Sequence, residues 1–197
     1  MKERRFTIDM NSPVILWFTA ISLGVLIVNI VTGGFMVRTF GAYSTSMLDP
    51  MQYVRLISHI SVHADISHYV GNFMMILAIG PMVEEKYGSR NLFWFIIITA
   101  VITGLINVLF FPVRVVGASG VVFMLILLAS FTNIRQGKLP ITVPLVALLY
   151  IGNEIMLGLF TESNISRISH IVGGLCGAGA GLLFHSNEMK PGKQEKL

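Results

Sequence analysis

Apolar runs long enough to cross a bilayer dictate what this chain can become. The run over 13–37 spans a hydrocarbon core of roughly 30 Å as helix, at about 1.5 Å per residue. Further apolar runs cover about 68–83, 91–111, 119–132, 139–160 and 168–184, which predicts six spans. In lipid every backbone amide and carbonyl must be paired within its own segment or barrel, so runs of this length predict an all-α membrane protein. Composition agrees, with 54% of residues hydrophobic and 12% charged. The basic residues are scattered between the apolar runs and form no stripe, so the net charge of +4 points to membrane topology and not to nucleic acid. The one cysteine, Cys176, lies in an apolar run and excludes a disulfide framework or thiolate metal cluster.

Charge placement predicts the orientation. With an even number of spans both termini share a side, and ten of the fourteen lysines and arginines then fall on that side. The positive-inside rule makes it the cytoplasm. The expected organisation is a cytoplasmic segment over 1–12 without a cleavage site, a six-span unit over 13–185 and a cytoplasmic tail over 186–197. The first outer loop, 38–67, still carries Met47, Leu48, Met51, Val54, Ile57 and Ile60. It is expected to lie partly in the outer leaflet. The fourth span is short: 119–135 is about 25 Å of helix, less than the hydrocarbon thickness. Its outer end, Ser119, should sit below the membrane surface in a wet, recessed cavity that receives the free helix-start amides.

Ser119 lies in Gly117-Ala118-Ser119-Gly120, where glycines keep the backbone open to another group. That string is a tight turn and helix start as readily as a nucleophile. His170 begins the sixth span at comparable depth, and Gly173, Gly177 and Gly181 below it, spaced by four, allow backbone-to-backbone packing against a neighbour. Packing of spans four and six would hold the His170 ring within reach of Ser119. A serine with a histidine as base and then acid is chemically sufficient for acyl transfer. His68 and Asn72, four apart, share a helix face; they either cap and cross-link helices or aim two donors at one oxygen. Glu154 is the one acid well inside a span, with a functional and a structural reading equally open. His59, His63 and His68 raise a metal or haem site, but Asp65 is the only carboxylate near, and loop-bracing hydrogen bonds are the expectation. No metal and no cofactor is expected.

Taken together these residues resemble the rhomboid family of intramembrane serine proteases. The resemblance rests on Tyr53-Val54-Arg55, His59, His63, His68 with Asn72, Gly117-Ala118-Ser119-Gly120, and His170 with Gly173 and Gly177, in order and on the expected spans. It implies a six-span rhomboid-like bundle with the partly membrane-embedded first outer loop, without an added soluble domain or seventh span. Ser119 is then the nucleophile and His170 the general base, while His68, Asn72 and the Ser119 amide form the oxyanion site. Arg55, His59 and His63 brace the loop, and Glu84 and Gly88 match the inner end of the second span. Phe123 stands where the family often has a tyrosine on the catalytic histidine, and Val54 replaces the usual tryptophan before Arg55. The implied activity is endoproteolysis in or near transmembrane segments of membrane-protein substrates, in a cell membrane, with the active site opening outward. The 139–160 run borders the side by which substrate arrives. A catalytically inactive rhomboid-like binding protein or chaperone is the alternative. A transporter would need polar residues through the full depth of the bundle.

Overall fold

The computed structural model describes residues 11–46, 48–131 and 164–188 of the 197-residue chain, with isolated positions between 141 and 152. Among the described residues the protein is helical, and three helices are long and apolar enough to cross a membrane: α1 (Pro13–Val31), α4 (Ile66–Tyr87) and α5 (Ser89–Phe110). Two shorter apolar helices follow, α6 (Ser119–Ser130) and the stretch Ile168–Phe184 within α7 (Asn164–Glu188). Of the fifth apolar run, 139–160, only isolated positions are described, and Glu154 is not among them.

The first helix is capped by another helix. Ser12 precedes it but its side chain makes no capping bond. Instead Glu84, 2% exposed near the C-terminal end of α4, accepts from the Val14 and Ile15 amides, both at 3.0 Å. Gly80, one turn earlier, lets Ile15 approach so closely that a Cβ there would stand 2.5 Å from its Cδ1. Removing Glu84 leaves two amides of the helix start without an acceptor. Glu84→Ala is expected to lower stability by about 2 kcal/mol or more. Glu84→Gln, which keeps one acceptor oxygen, should lose less, and thermal unfolding in detergent separates the two.

The apolar run read as one span over 13–37 is divided. Gly33 and Gly34 take φ values of 59° and 90°, and the Gly34 amide closes on Asn29 O at 2.8 Å. The glycines end α1 at Val31, and a short α2 (Phe35–Phe40) follows. The segment read as an irregular loop is also more ordered than its sequence suggests. Asp49 caps α3 (Pro50–Ser58) by accepting from the Met51 amide at 3.0 Å, Pro50 starts it, and a 3-10 turn, His59–Ser61, continues it.

That helix is turned inside out. Gln52 and Arg55 are buried while Tyr53, Val54 and Ile57 are exposed. Gln52 Oε1 accepts from the Thr45 amide at 3.0 Å. Arg55 donates to Thr39 O and to Asp49, each at 2.9 Å, and its guanidinium lies 4.6 Å from the Tyr43 ring centroid. The Met51 amide and the Arg55 guanidinium together hold the Asp49 carboxyl below its ordinary value. A buried polar network thus ties the loop to itself, leaving its apolar side outward.

Helix α6 is the centre of the bundle. At 12 residues it is about 18 Å long, and it is apolar around its circumference, with Val121, Val122, Met124, Leu125, Leu127 and Leu128 all buried. Such a helix needs neighbours on every side. Helices α4, α5 and α7 supply them. The α7 contact is backbone on backbone: a Cβ on Gly173 would lie 2.1 Å from Gly120 O, and one on Gly177 would lie 2.2 Å from Met124 O. Gly181 continues the row against the Phe131 ring. At the C-terminal end of α6 the Tyr87 hydroxyl donates to Leu128 O at 3.1 Å, which satisfies a terminal carbonyl.

Candidate active site

The turn before α6 is held by the histidine-bearing loop. The Gly117 amide donates to His59 O at 3.0 Å, and the Ala118 amide to His63 Nε2 at 3.3 Å. The first bond inside the helix runs from the Val122 amide to Ala118 O at 2.9 Å. Helix geometry therefore leaves the amides of Ser119, Gly120 and Val121 without an intrahelical acceptor. These donors and the helix dipole make the start of α6 favourable for negative charge.

Two side chains from α4 converge on the same turn. Gly117 has a φ of 113°, and a Cβ there would stand 2.6 Å from His68 Nε2 and 3.5 Å from Asn72 Nδ2. Glycine is thus required twice, by backbone conformation and by the His68 ring. The Asp65 carboxylate accepts from the His68 amide at 2.8 Å, which starts α4 and fixes His68 in its first turn. Asn72, 8% exposed, carries an Nδ2 that meets no acceptor among the described residues. A buried, unpaired amide donor is costly and so marks a place for an acceptor.

The opposite wall comes from α7. Gly120 lies against Gly173, and a Cβ on Gly120 would be 3.4 Å from Ser169 O. The Phe123 and His170 rings pack with centroids 4.5 Å apart, tilted at 41°. Phe123 follows Ser119 by one turn and shares its helix face, so the His170 ring rests against the face that carries Ser119. Both Ser119 and His170 are half-buried. Arg55 is not part of this cluster; its bonds stay within the loop.

Burial sets the histidine chemistry of the loop. His59 Nδ1 faces Arg55 O at 3.1 Å and must donate to it, whereas His63 Nε2 accepts from Ala118 and must be unprotonated. Burial lowers the pKa of both from 6.5 to about 4, with His68 beside His63 adding to its shift. The unfolded chain therefore takes up these protons first. Their contribution to stability is full above about pH 6.5, falls as pH drops towards 4, and is gone below that. Unfolding midpoints followed by tryptophan fluorescence should decline through that window and then level off.

Several supporting residues gave no functional signal in the sequence. Asn107 Nδ2 donates to both Ala42 O and Val113 O at 3.0 Å, beside an isolated two-bond bridge between Ala42 and Val115. Asn29 accepts from the Val37 amide at 3.1 Å and donates to His63 O at 3.4 Å. The Arg114 guanidinium lies 4.1 Å from the Tyr43 centroid. A single asparagine inside an apolar run was the available clue in the first two cases.

A family model described as Rhomboid domain matches residues 50–187. The chain is 33% identical over 143 residues to the rhomboid protease GluP of Bacillus subtilis (strain 168), an alignment covering 70% of this chain and 27% of that protein. It is 27% identical over 169 residues to the rhomboid protease GlpG of Yersinia pestis (strain Pestoides F), covering 83% of this chain and 60% of the relative. The GlpG protein of Yersinia pseudotuberculosis serotype O:3 (strain YPIII) aligns to the same extent. The chain thus spans 27% and 60% of the length of the GluP and GlpG relatives. With the family model covering most of the sequence, and apolar helices of membrane-crossing length around a serine-bearing helix start, this chain is an integral membrane protein of the rhomboid family.

Proposed function

We propose that the chain is an intramembrane serine endopeptidase that cleaves membrane-protein substrates in or near their transmembrane segments. The observation that carries this reading is the convergence at Gly117 of the His68 ring and the unpaired, buried Asn72 amide with the free amides of the α6 start. Such a set of fixed donors suits an oxyanion.

In the proposed reaction Ser119 Oγ attacks the substrate carbonyl carbon while its proton passes to His170. The resulting oxyanion accepts from the Ser119 amide, the Asn72 Nδ2 and the His68 ring N–H. The carbon–nitrogen bond then breaks as His170 returns the proton to the departing amine. Water, activated by His170, attacks the acyl ester and frees Ser119. Phe123 packs at a tilt against the His170 ring and limits its rotation. A helical substrate must unwind first, because its carbonyls are otherwise bonded within the helix, so small and helix-weakening residues near the cut are expected.

The same reading takes residues 13–185 as a six-span unit, with 139–160 as the fifth span on the side where substrate arrives. On this reading both termini lie in the cytoplasm and the site faces outward, which the ten of fourteen basic residues on one side support. The outward apolar side of α3 then lies in the outer leaflet. Asn72→Ala tests the oxyanion assignment in proteoliposomes with a single-span substrate. The turnover rate should fall by about 10²-fold or more with binding little changed; an unchanged rate in folded protein removes Asn72 from the mechanism.

A further inference from the structure

A cleft of about 350 Å³ opens between α1 and α5 beneath the loop that precedes α4. Helix α1 lines it with Trp17, Phe18 and Ile21, the loop roofs it with Ile57 and Ile60, and α5 closes it with Phe93. Among the described residues its polar lining is Ser58 and Ser61, and the Ser58 hydroxyl already donates to Phe40 O at 3.0 Å. Trp17, Ile21 and Phe93 are 62%, 56% and 46% exposed, so the cleft opens on the lipid-facing surface. Its volume lies at the small end of ligand sites, roughly 300–1,000 Å³, and its walls suit a hydrocarbon chain. A positive charge lies one helical turn from a lining residue. Arg90, exposed in the first turn of α5, precedes Phe93 by three residues and shares its face. Guanidinium is well matched to phosphate.

We propose that this cleft binds one phospholipid, its acyl chain between α1 and α5 and its phosphate paired with Arg90. The bound chain has a consequence for the site above it. The cleft roof includes Ile60 and Ser61 of the 3-10 turn, whose His59 carbonyl holds the Gly117 amide; His63, two residues on, holds the Ala118 amide. A lipid seated below therefore supports the segment that fixes the turn before Ser119.

Native mass spectrometry of the full chain in detergent, titrated with dioleoyl phosphatidylglycerol, tests the proposal. The expected result is a distinct first adduct that binds at least about tenfold more tightly than later ones. Ser61→Phe, which fills the roof, should abolish that preference, and Ile97→Phe serves if the first variant does not fold. Arg90→Gln should weaken the first adduct about tenfold. In a Trp94→Phe background Trp17 is the remaining one of two tryptophans, and one equivalent of phosphatidylglycerol with brominated acyl chains should quench it. A ladder of equal-affinity adducts, unaltered by the filling variant, overturns the site, and an unaltered first adduct in Arg90→Gln overturns the phosphate assignment. None of these readouts depends on whether the chain cleaves a peptide bond.

Discussion

Ser119→Ala is expected to lower single-turnover cleavage of a reconstituted single-span substrate by about 10⁴-fold or more, and His170→Ala by a comparable factor. The two act as one proton-transfer unit, so the double variant should be no slower than either single one. That non-additivity separates a dyad from two residues that independently support the fold. Multiplicative losses, or a His170→Ala variant retaining a tenth of the activity, would remove the histidine from the reaction. The structural basis is local: His170 rests on Phe123, one turn from Ser119, on two helices packed through Gly120 and Gly173.

The second large effect concerns that packing. On Gly173 and Gly177 an added Cβ would stand 2.1 and 2.2 Å from carbonyl oxygens of α6, which are backbone atoms and cannot swing aside. Gly173→Ala and Gly177→Ala must therefore separate α6 from α7. Each should destabilise the protein by about 3 kcal/mol, and Gly173→Ala, closer to His170, should lose more activity than stability alone accounts for. Gly179 on the same helix provides the control, because a Cβ there meets nothing within 4 Å among the described residues. Gly179→Ala should leave the unfolding midpoint unchanged or raise it, because alanine is the better helix former; a loss equal to that of Gly173→Ala would show that the α6 contact is not the cause.

The starts of the described apolar helices were legible because lipid imposes a length and a composition. Helices α4, α5 and α6 start within two residues of their apolar runs, and Ser119 is the first residue of α6. The glycine ladder of α7 was legible for the same reason, since spacing by four puts small residues on one face. What sequence did not reveal is pairing between distant segments. Glu84 capping α1 joins residues 69 and 70 apart, and its position near the end of a helix also fits a solvated carboxylate. Asn107 and Tyr43 likewise gain their roles from partners brought close by the fold. The order of the segment between α2 and α4 was hidden because its helix inverts the usual pattern, with Gln52 and Arg55 inward and Tyr53, Val54 and Ile57 outward. Periodicity alone gives the helix faces and does not say which one is buried. The split of the first apolar run lay in Gly33-Gly34, a helix-ending signal outweighed by hydropathy.

An activated serine is the claim on which the functional account stands. Fluorophosphonate labelling of detergent-purified protein, with the adduct located by peptide mass spectrometry, tests it without knowledge of a substrate. Wild type should carry one phosphonyl group on Ser119, and folded His170→Ala should carry almost none. Folded wild type without an adduct, or an adduct on another residue that survives Ser119→Ala, would contradict the account and leave a rhomboid fold that binds membrane proteins without cutting them.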